Sequence, residues 1–340
     1  MNERERNPTI IDVARRAGVS KSVVSRVFTG NGSVGGSTRQ QVLVAASELG
    51  YVVNAVARAM VARRTYTLGV FVRDAATPFY GHLLTAMQER AAAHGYRVVT
   101  ATGSGRFSVA DERRALETLV QLRVEGLVVC SGLLPVSEVT PFAKRLPLVV
   151  AGRPETQESI TSVFCDEEEG GAGLADHLLD LGHMSVAVLR PTKEQSLTMS
   201  SRATAMVRRL EERGAVVLDL AAGRADDVES SLDKALSHPG VSALMAPSDG
   251  YALSVLESMQ RRGLSVPGDL SVTGYDGIGA LATPLIGLTT WVQPIALIGE
   301  RAIDALVAQL DEAGIPDHHQ ALSGVLSAGR TTAPHRVTVA

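Results

Sequence analysis

Along most of the chain, apolar and polar positions follow two alternating rhythms. From Thr67 onward, short apolar runs rich in β-branched residues recur: TLGVFV (67–72), YRVVTA (96–101), GLVVCS (126–131), LPLVVAG (146–152), SVAVL (185–189), ALMAP (243–247), LSVTGYD (270–276) and LTTWVQ (288–293). Stretches of helical period, such as YGHLLTAMQERAAAHG and EEGGAGLADHLLDLG, separate several of them. Near-continuous apolar strands alternating with helices predict parallel sheets covered on both faces. About ten strands are too many for one small sheet. Two similar lobes are therefore expected, with the chain crossing between them near 163–167 and again near 287–292.

The first fifty residues keep a different rhythm, three short helices and no strand. Thr9 is placed to cap the first helix, with Asp12 set to return a bond or to favour the helix dipole. Gly18 breaks the pattern, and Ser20 caps a second helix running to about Phe28. A polar connector follows (TGNGSVGGS), then a third helix from Thr38 to Leu49, stopped by Gly50. In the second helix Val24, Val27 and Phe28 fall on one face and pack inward, while Ser22, Ser25, Arg26 and Thr29 share the other. Lys21, Ser22 and Val23 project from its first turn. Two short helices joined by a tight glycine turn predict a helix-turn-helix, whose second helix enters the major groove N-terminus first. Lys21 or Arg26 suits guanine O6/N7, the serines suit either base edge, and Val23 suits a thymine methyl.

Charge changes this picture in the same direction. The net charge of −3 conceals +6 over residues 1–64 and −9 over the remainder. A basic head on an acidic body implies that the head alone meets a polyanion. Hydrophobic content of 45% and charged content of 20% describe a globular chain. No apolar run approaches the length of a membrane helix, and MNERERNPT has no apolar core of a secretory signal. Cys130 and Cys165 lie in strand-like runs without metal spacing, which predicts reduced core residues in a cytoplasmic protein.

The segments TIIDVARRAGVSKSVVSRVFTG and STRQQVLVAASELGYVVNAVARAM resemble the front end of the LacI/GalR family of bacterial transcription regulators. The likeness rests on Thr9, Ile10, Asp12, Val13, Ala14, Ala17, Gly18, Val19, Ser20, Val24, Ser25, Arg26, Val27, Thr38, Arg39, Leu49, Gly50, Tyr51 and Asn54 at the family's spacing. It implies a DNA-binding set of Thr9, Ser20, Lys21, Ser22, Val23, Ser25, Arg26, Asn54, Arg58 and Met60. In the family, paired hinge helices push an apolar wedge into the minor groove. Met60 holds that position here, and methionine has the apolar bulk that unstacking requires. Val53 replaces the family's usual proline, and Ala59 stands where serine is common. The likeness continues through RTYTLG (64–69), TPFY (77–80), LLDLGH (178–183), SVTGYDG (271–277) and LTTWVQP (288–294).

The resemblance implies an α/β fold class: an all-α helix-turn-helix headpiece and a two-lobed, periplasmic-binding-protein-like body of doubly wound parallel sheets. The expected division is headpiece 1–53, hinge 54–65 and body 66–340, with lobe 1 about 66–165 and 290–325 and lobe 2 about 166–289. Such lobes bind ligands at the carboxyl ends of their strands. The ligand set is then Asp74, Phe79, Tyr80, Asp166, Arg202, Ser248, Asp249, Asp276 and Gln293. Arg202 stands where the family places a ligand-binding arginine, although Ala205-Met206 departs from the family's Gly-Phe. Ser248 replaces the usual asparagine. A guanidinium with carboxylates suits vicinal hydroxyls or a carboxylate, and Phe79, Tyr80 or Trp291 suits a sugar face. Of the acidic run 166–169, only Asp166 is expected at the cleft.

The expected partners are double-stranded operator DNA, a small carbohydrate or related metabolite as effector, and a second copy of the chain, with no membrane. The chain ends at Ala340 without heptads, so a dimer is expected rather than a tethered tetramer. A solute-binding protein without transcriptional function is the alternative, opposed by the basic head. An enzyme is not expected, nor any cofactor. Gly30 to Gly35 spells a dinucleotide fingerprint but follows a helix rather than a strand. No P-loop, zinc-protease or nucleophile-elbow motif occurs. His177 and His183 are six apart, and His318-His319 reads as a polar loop, so no metal is expected.

Overall fold

A computed structural model describes residues 8–29, 33–51, 64–103, 108–223, 228–313 and 317–335. The chain divides into two compact units, Met1–Tyr66 and Thr67–Ala340. In the first, α1 (Ile10–Ala17), α2 (Lys21–Thr29) and α3 (Gly36–Glu48) enclose a small core. Val13, Ala14, Val24, Val27, Val42, Ala45 and Ala46 are buried there, with Phe28 and Tyr51 packed against them. Thr9 and Asp12 close a reciprocal capping box at the head of α1. Gly18, at φ 66°, makes the left-handed turn that ends α1. The third helix begins two residues earlier than its pattern predicts, at Gly36.

The second unit holds two sheets. The first is built from β1 (Thr67–Val72), β2 (Arg97–Thr102), β3 (Gly126–Cys130), β4 (Leu148–Ala151), β5 (Thr161–Cys165) and β11 (His319–Leu322), in the order β11-β5-β4-β3-β1-β2. The second comprises β6 (Ser185–Pro191), β7 (Val216–Ala222), β8 (Ala243–Met245), β9 (Ser271–Asp276), β10 (Thr289–Val292) and β12 (Val325–Ser327). Its order, β12-β10-β9-β8-β6-β7, repeats the first. All pairings are parallel except β10 with β12. Helices α4 (Pro78–Ala93), α5 (Val109–Gln121), α6 (Val136–Ala143) and α11 (Ile295–Leu310) serve the first sheet, and α7 (Glu167–Asp180), α8 (Leu197–Glu212), α9 (Glu229–Ser237) and α10 (Asp249–Arg261) the second. One apolar cluster runs through both lobes, and a further cluster fills the other face of each sheet.

The chain crosses between lobes three times: at Asp166, at Gln293–Pro294, and at 323–324 between β11 and β12. The second crossing lies later than the expected boundary at 290, because Thr289–Val292 hydrogen-bonds along β9 in the second sheet. The third was not anticipated, since β11 and β12 are short and lack an apolar run. His319 is correspondingly in strand β11 rather than a polar loop. Strand Val216–Ala222 was also missed, because it lies at a sheet edge and alternates with exposed positions.

In each sheet the winding direction reverses once, between β1 and β3 and between β6 and β8. Crevices open at the carboxyl ends of strands at such reversals. The two sets of strand ends face one another, for Leu197 N–H after β6 donates to the Gly132 carbonyl after β3 at 2.6 Å. A Cβ on Gly132 would sit 3.1 Å from Ser196 Oγ and 3.2 Å from Thr198 Oγ1, so a larger residue there would make those hydroxyls shift.

Candidate DNA-reading helix and interlobe site

In the first unit, α2 buries Val24 and Val27 and leaves Lys21, Ser22 and Arg26 exposed. Ser20 Oγ accepts from Val23 N–H at 3.3 Å, the expected cap. Thr9 is spent on its own helix, its hydroxyl donating to Asp12 Oδ2 at 2.6 Å. Arg26 Nε donates to the Ser22 carbonyl at 3.4 Å, which lays the guanidinium along the same exposed face. Cation, hydroxyls and the half-buried Val23 therefore share the open end of a helix held by a packed apolar underside. Asn54, Arg58 and Met60 lie outside the described residues.

In the second unit, the second lobe carries a compact polar cluster. Arg202, on α8, is 4% exposed. Its Nε and Nη2 grip Glu167 at 2.7 and 2.9 Å. Nη1 donates to the Pro247 carbonyl at 2.7 Å and to Asp276 Oδ1 at 3.3 Å. The Tyr275 ring lies 3.8 Å from the guanidinium carbon. Burial opposes the positive charge, yet Glu167, Tyr275 and Asp276 together hold Arg202 above its ordinary value.

Asp276 closes β9 with φ at 121°, a left-handed backbone that non-glycine residues rarely adopt. Strain of this kind costs about 1–3 kcal/mol and persists only where surrounding bonds fix it. Here they do. Asp249, at the start of α10, accepts from Gly277 N–H at 2.9 Å and Ile278 N–H at 3.0 Å. Its other oxygen accepts from Thr290 Oγ1 at 2.6 Å. The turn after Asp276 is thus clamped by a buried carboxylate from the neighbouring helix. Gln293, 5% exposed, donates its amide to Asp276 Oδ1 at 2.7 Å. Burial pushes the Asp276 carboxyl up to about 7, with Arg202 opposing and Asp249 adding. Burial also raises Asp249, against its hydrogen bonds.

The first lobe faces this cluster with other chemistry. Asp74 follows β1 and accepts from Ala76 N–H at 2.9 Å and Thr77 Oγ1 at 3.0 Å, shaping the turn into α4. Phe79 and Tyr80 meet edge to face at 5.3 Å, with Phe79 against Gly152 after β4. Burial pushes the Tyr80 phenol up to about 12, keeping it neutral. Ser131 after β3 donates to the buried Glu112 at 2.6 Å, and Arg153 after β4 is 3% exposed beside Glu155.

The structure brings Arg202, Asp249, Asp276 and Gln293 into one network. It gives Asp166 and Ser248 helix-capping bonds, at the heads of α7 and α10. Asp74, Phe79 and Tyr80 gather separately on the first lobe. Glu167, not expected at the cleft, is the buried partner of Arg202. Nothing in a run of four acids singles it out, whereas Arg153 follows an apolar strand as Asp74 and Asp276 do, and the same rule would have found it. Trp291 does not line the cleft: it is 6% exposed and leaves no room for a methyl group on Gly170, Gly173 or Gly324.

Comparison with known proteins places both units. Residues 9–54 match the family described as bacterial regulatory proteins, lacI family, and residues 175–332 match a periplasmic binding protein-like domain. Catabolite control protein A of Priestia megaterium is 31% identical over 312 residues, covering 90% of this chain and 93% of that one. A crystal structure of the Lac repressor bound to ONPG in the repressed state superposes with a TM-score of 0.81 at 25% identity, covering 96% of this chain and all of that one. The complex of the transcriptional regulator CelR with cellobiose gives a TM-score of 0.68 at 26% identity, with 96% and 100% covered.

Proposed function

From the premise that this chain belongs to the lacI family of bacterial regulatory proteins, we propose that it acts in the cytoplasm as a dimeric repressor of a palindromic operator, released by a small hydroxyl-bearing effector. The chain is a DNA-binding transcriptional regulator with an effector-binding body; the operator symmetry, the dimer and the effector class are the proposal. One observation carries it: the chain joins a helix exposing Lys21, Ser22 and Arg26 to a two-lobed body whose facing strand ends bear Asp276 and Gln293. Two copies of the head require a two-fold site, with half-sites about one DNA turn apart. The hinge 54–65 joins head to body and adds Asn54, Arg58 and Met60 to the DNA-binding set, Met60 as the wedge.

The effector lies between the lobes, against Asp276 and Gln293 on one side and Phe79 and Tyr80 on the other. The ONPG and cellobiose in the two related structures support a sugar-like molecule. Closure of the cleft alters the spacing of the two heads, so effector and DNA affinities change by the same factor. Selection of binding sequences from a random duplex pool, followed by fluorescence-anisotropy titration with and without sugars, tests the proposal. The expected outcome is a palindromic consensus, lost on deletion of residues 1–64 and weakened by at least one sugar. Binding indifferent to sequence, or unaffected by that deletion, would sink it.

A further inference from the structure

Arginine at a ligand cleft ordinarily attracts anions, because its planar fork matches a carboxylate or phosphate. Here the fork is occupied. A guanidinium has five N–H groups. Nε and one Nη2 hydrogen are held by Glu167 at 2.7 and 2.9 Å. Both Nη1 hydrogens are directed at protein oxygens, Pro247 O and Asp276 Oδ1. One N–H remains, on a side chain 4% exposed with Tyr275 across one face. A second carboxylate would have to displace the first.

The surrounding charge works the same way. Glu167 and Asp249, joined by Asp276 once it ionises near pH 7, cluster around Arg202, so an anionic ligand brings a further negative charge into a buried site. Acceptors are the charged part of what is left unspent. Asp276 Oδ1 receives Gln293 and Arg202, and Oδ2 makes neither bond. Gln293 spends one of its two amide N–H groups on Asp276, leaving the other and its carbonyl oxygen. Two oxygens held beside a strained backbone suit hydroxyl or ammonium hydrogens.

We propose that Glu167 is a specificity-determining residue: by occupying Arg202 it closes the guanidinium to ligand, so the cleft takes a neutral or ammonium-bearing polyol and refuses its acidic counterpart. The inference rests on the ligand-controlled reading above and narrows it. Glu167 acts through Arg202 without touching the ligand. Its removal therefore changes which ligand binds, where a merely structural brace would weaken all ligands alike.

The test is calorimetric titration of the full chain with matched series: glucose, glucosamine, glucuronate and glucose 6-phosphate, and the galactose and mannose equivalents. Wild type is expected to bind a neutral or amino member at least about a hundredfold tighter than its acids, the scale of a like-charge penalty. Glu167→Gln keeps one acceptor for Arg202 but frees a donor and removes a charge. It should narrow that ratio about tenfold or more in the acid's favour. Asp276→Asn replaces an acceptor by a donor without disturbing the fork, and should weaken the neutral ligand about ten- to a hundredfold. An acid binding as tightly as the neutral sugar overturns the inference and leaves ligand control standing. So does an unchanged ratio in Glu167→Gln or, should that variant not fold, an unchanged neutral affinity in Asp276→Asn. Silence from every series overturns the sugar-controlled reading and this inference with it.

Discussion

Asp249 fixes the turn that holds Asp276, and its removal gives the sharpest check on the site's construction. The Asp249→Ala change strands three donors: Gly277 N–H, Ile278 N–H and Thr290 Oγ1. The hydroxyl can turn elsewhere, but the two amides cannot. A buried donor left without a partner costs about 1–3 kcal/mol, and these half-buried amides fall toward the lower end. Relief of the burial that raises the Asp249 carboxyl offsets part of this. A net loss of about 2–4 kcal/mol follows, or a fall of roughly 4–15 °C in melting temperature for a domain of this size. Asp249→Asn is the control. Its amide oxygen keeps both backbone bonds and its NH2 faces Thr290 Oγ1, which then accepts, so the loss should stay near 1 kcal/mol or less. Urea midpoints and thermal melts at pH 7.5 measure both. The alanine variant should also lose ligand-induced stabilisation while still folded, because the backbone of Asp276 is then free to relax. An alanine variant within 1 kcal/mol of wild type, or an asparagine variant equally damaged, would refute the clamp.

Other outcomes follow from the same geometry. Folded Asp276 keeps its proton up to about pH 7, whereas the unfolded chain loses it near the ordinary carboxylate value of 3.8. Stability should therefore fall as pH rises through that window and level off above it, and Asp276→Asn should flatten part of the slope in urea midpoints taken from pH 5 to 8. A polyol that donates to the ionised form should bind more tightly toward pH 8 and release protons, which calorimetry in buffers of different ionisation heat detects. In the headpiece, Lys21→Ala or Arg26→Ala should cost about 1–3 kcal/mol of operator affinity. Loss of preference at one base pair marks a base contact, and a uniform loss with a shallower salt slope marks a phosphate contact. Val24→Ala opens the small head core at a fully buried position and should cost about 1–3 kcal/mol by far-UV melting.

Much of this was legible because it is local. The apolar runs of β1, β3, β6 and β9 announce themselves, and Thr9, Gly18 and Ser20 mark the head helices by capping chemistry that spans four residues. What escaped is long-range. Whether Thr289–Val292 joins the first or second sheet depends on pairing with β9, which no local pattern states. Strands β11 and β12 sit at sheet edges and are only four and three residues long, so no apolar run betrays them. The family resemblance points to Arg202 and Asp276, but Glu167 looks like any acid at a helix start until α7 and α8 pack together. Trp291 had the composition of a stacking platform. Only the glycines facing it show that its place is inside.

The indole of Trp291 packs against Gly170, near the first interlobe connection, and Gly324, at the third, and its own residue stands two positions before the second. The chain has one tryptophan. Its emission therefore comes from a single buried point beside the interlobe connections, against a background of weakly emitting tyrosines. If effector binding closes the cleft as proposed, the intensity and wavelength of that emission should shift on titration, with no label attached and no residue changed.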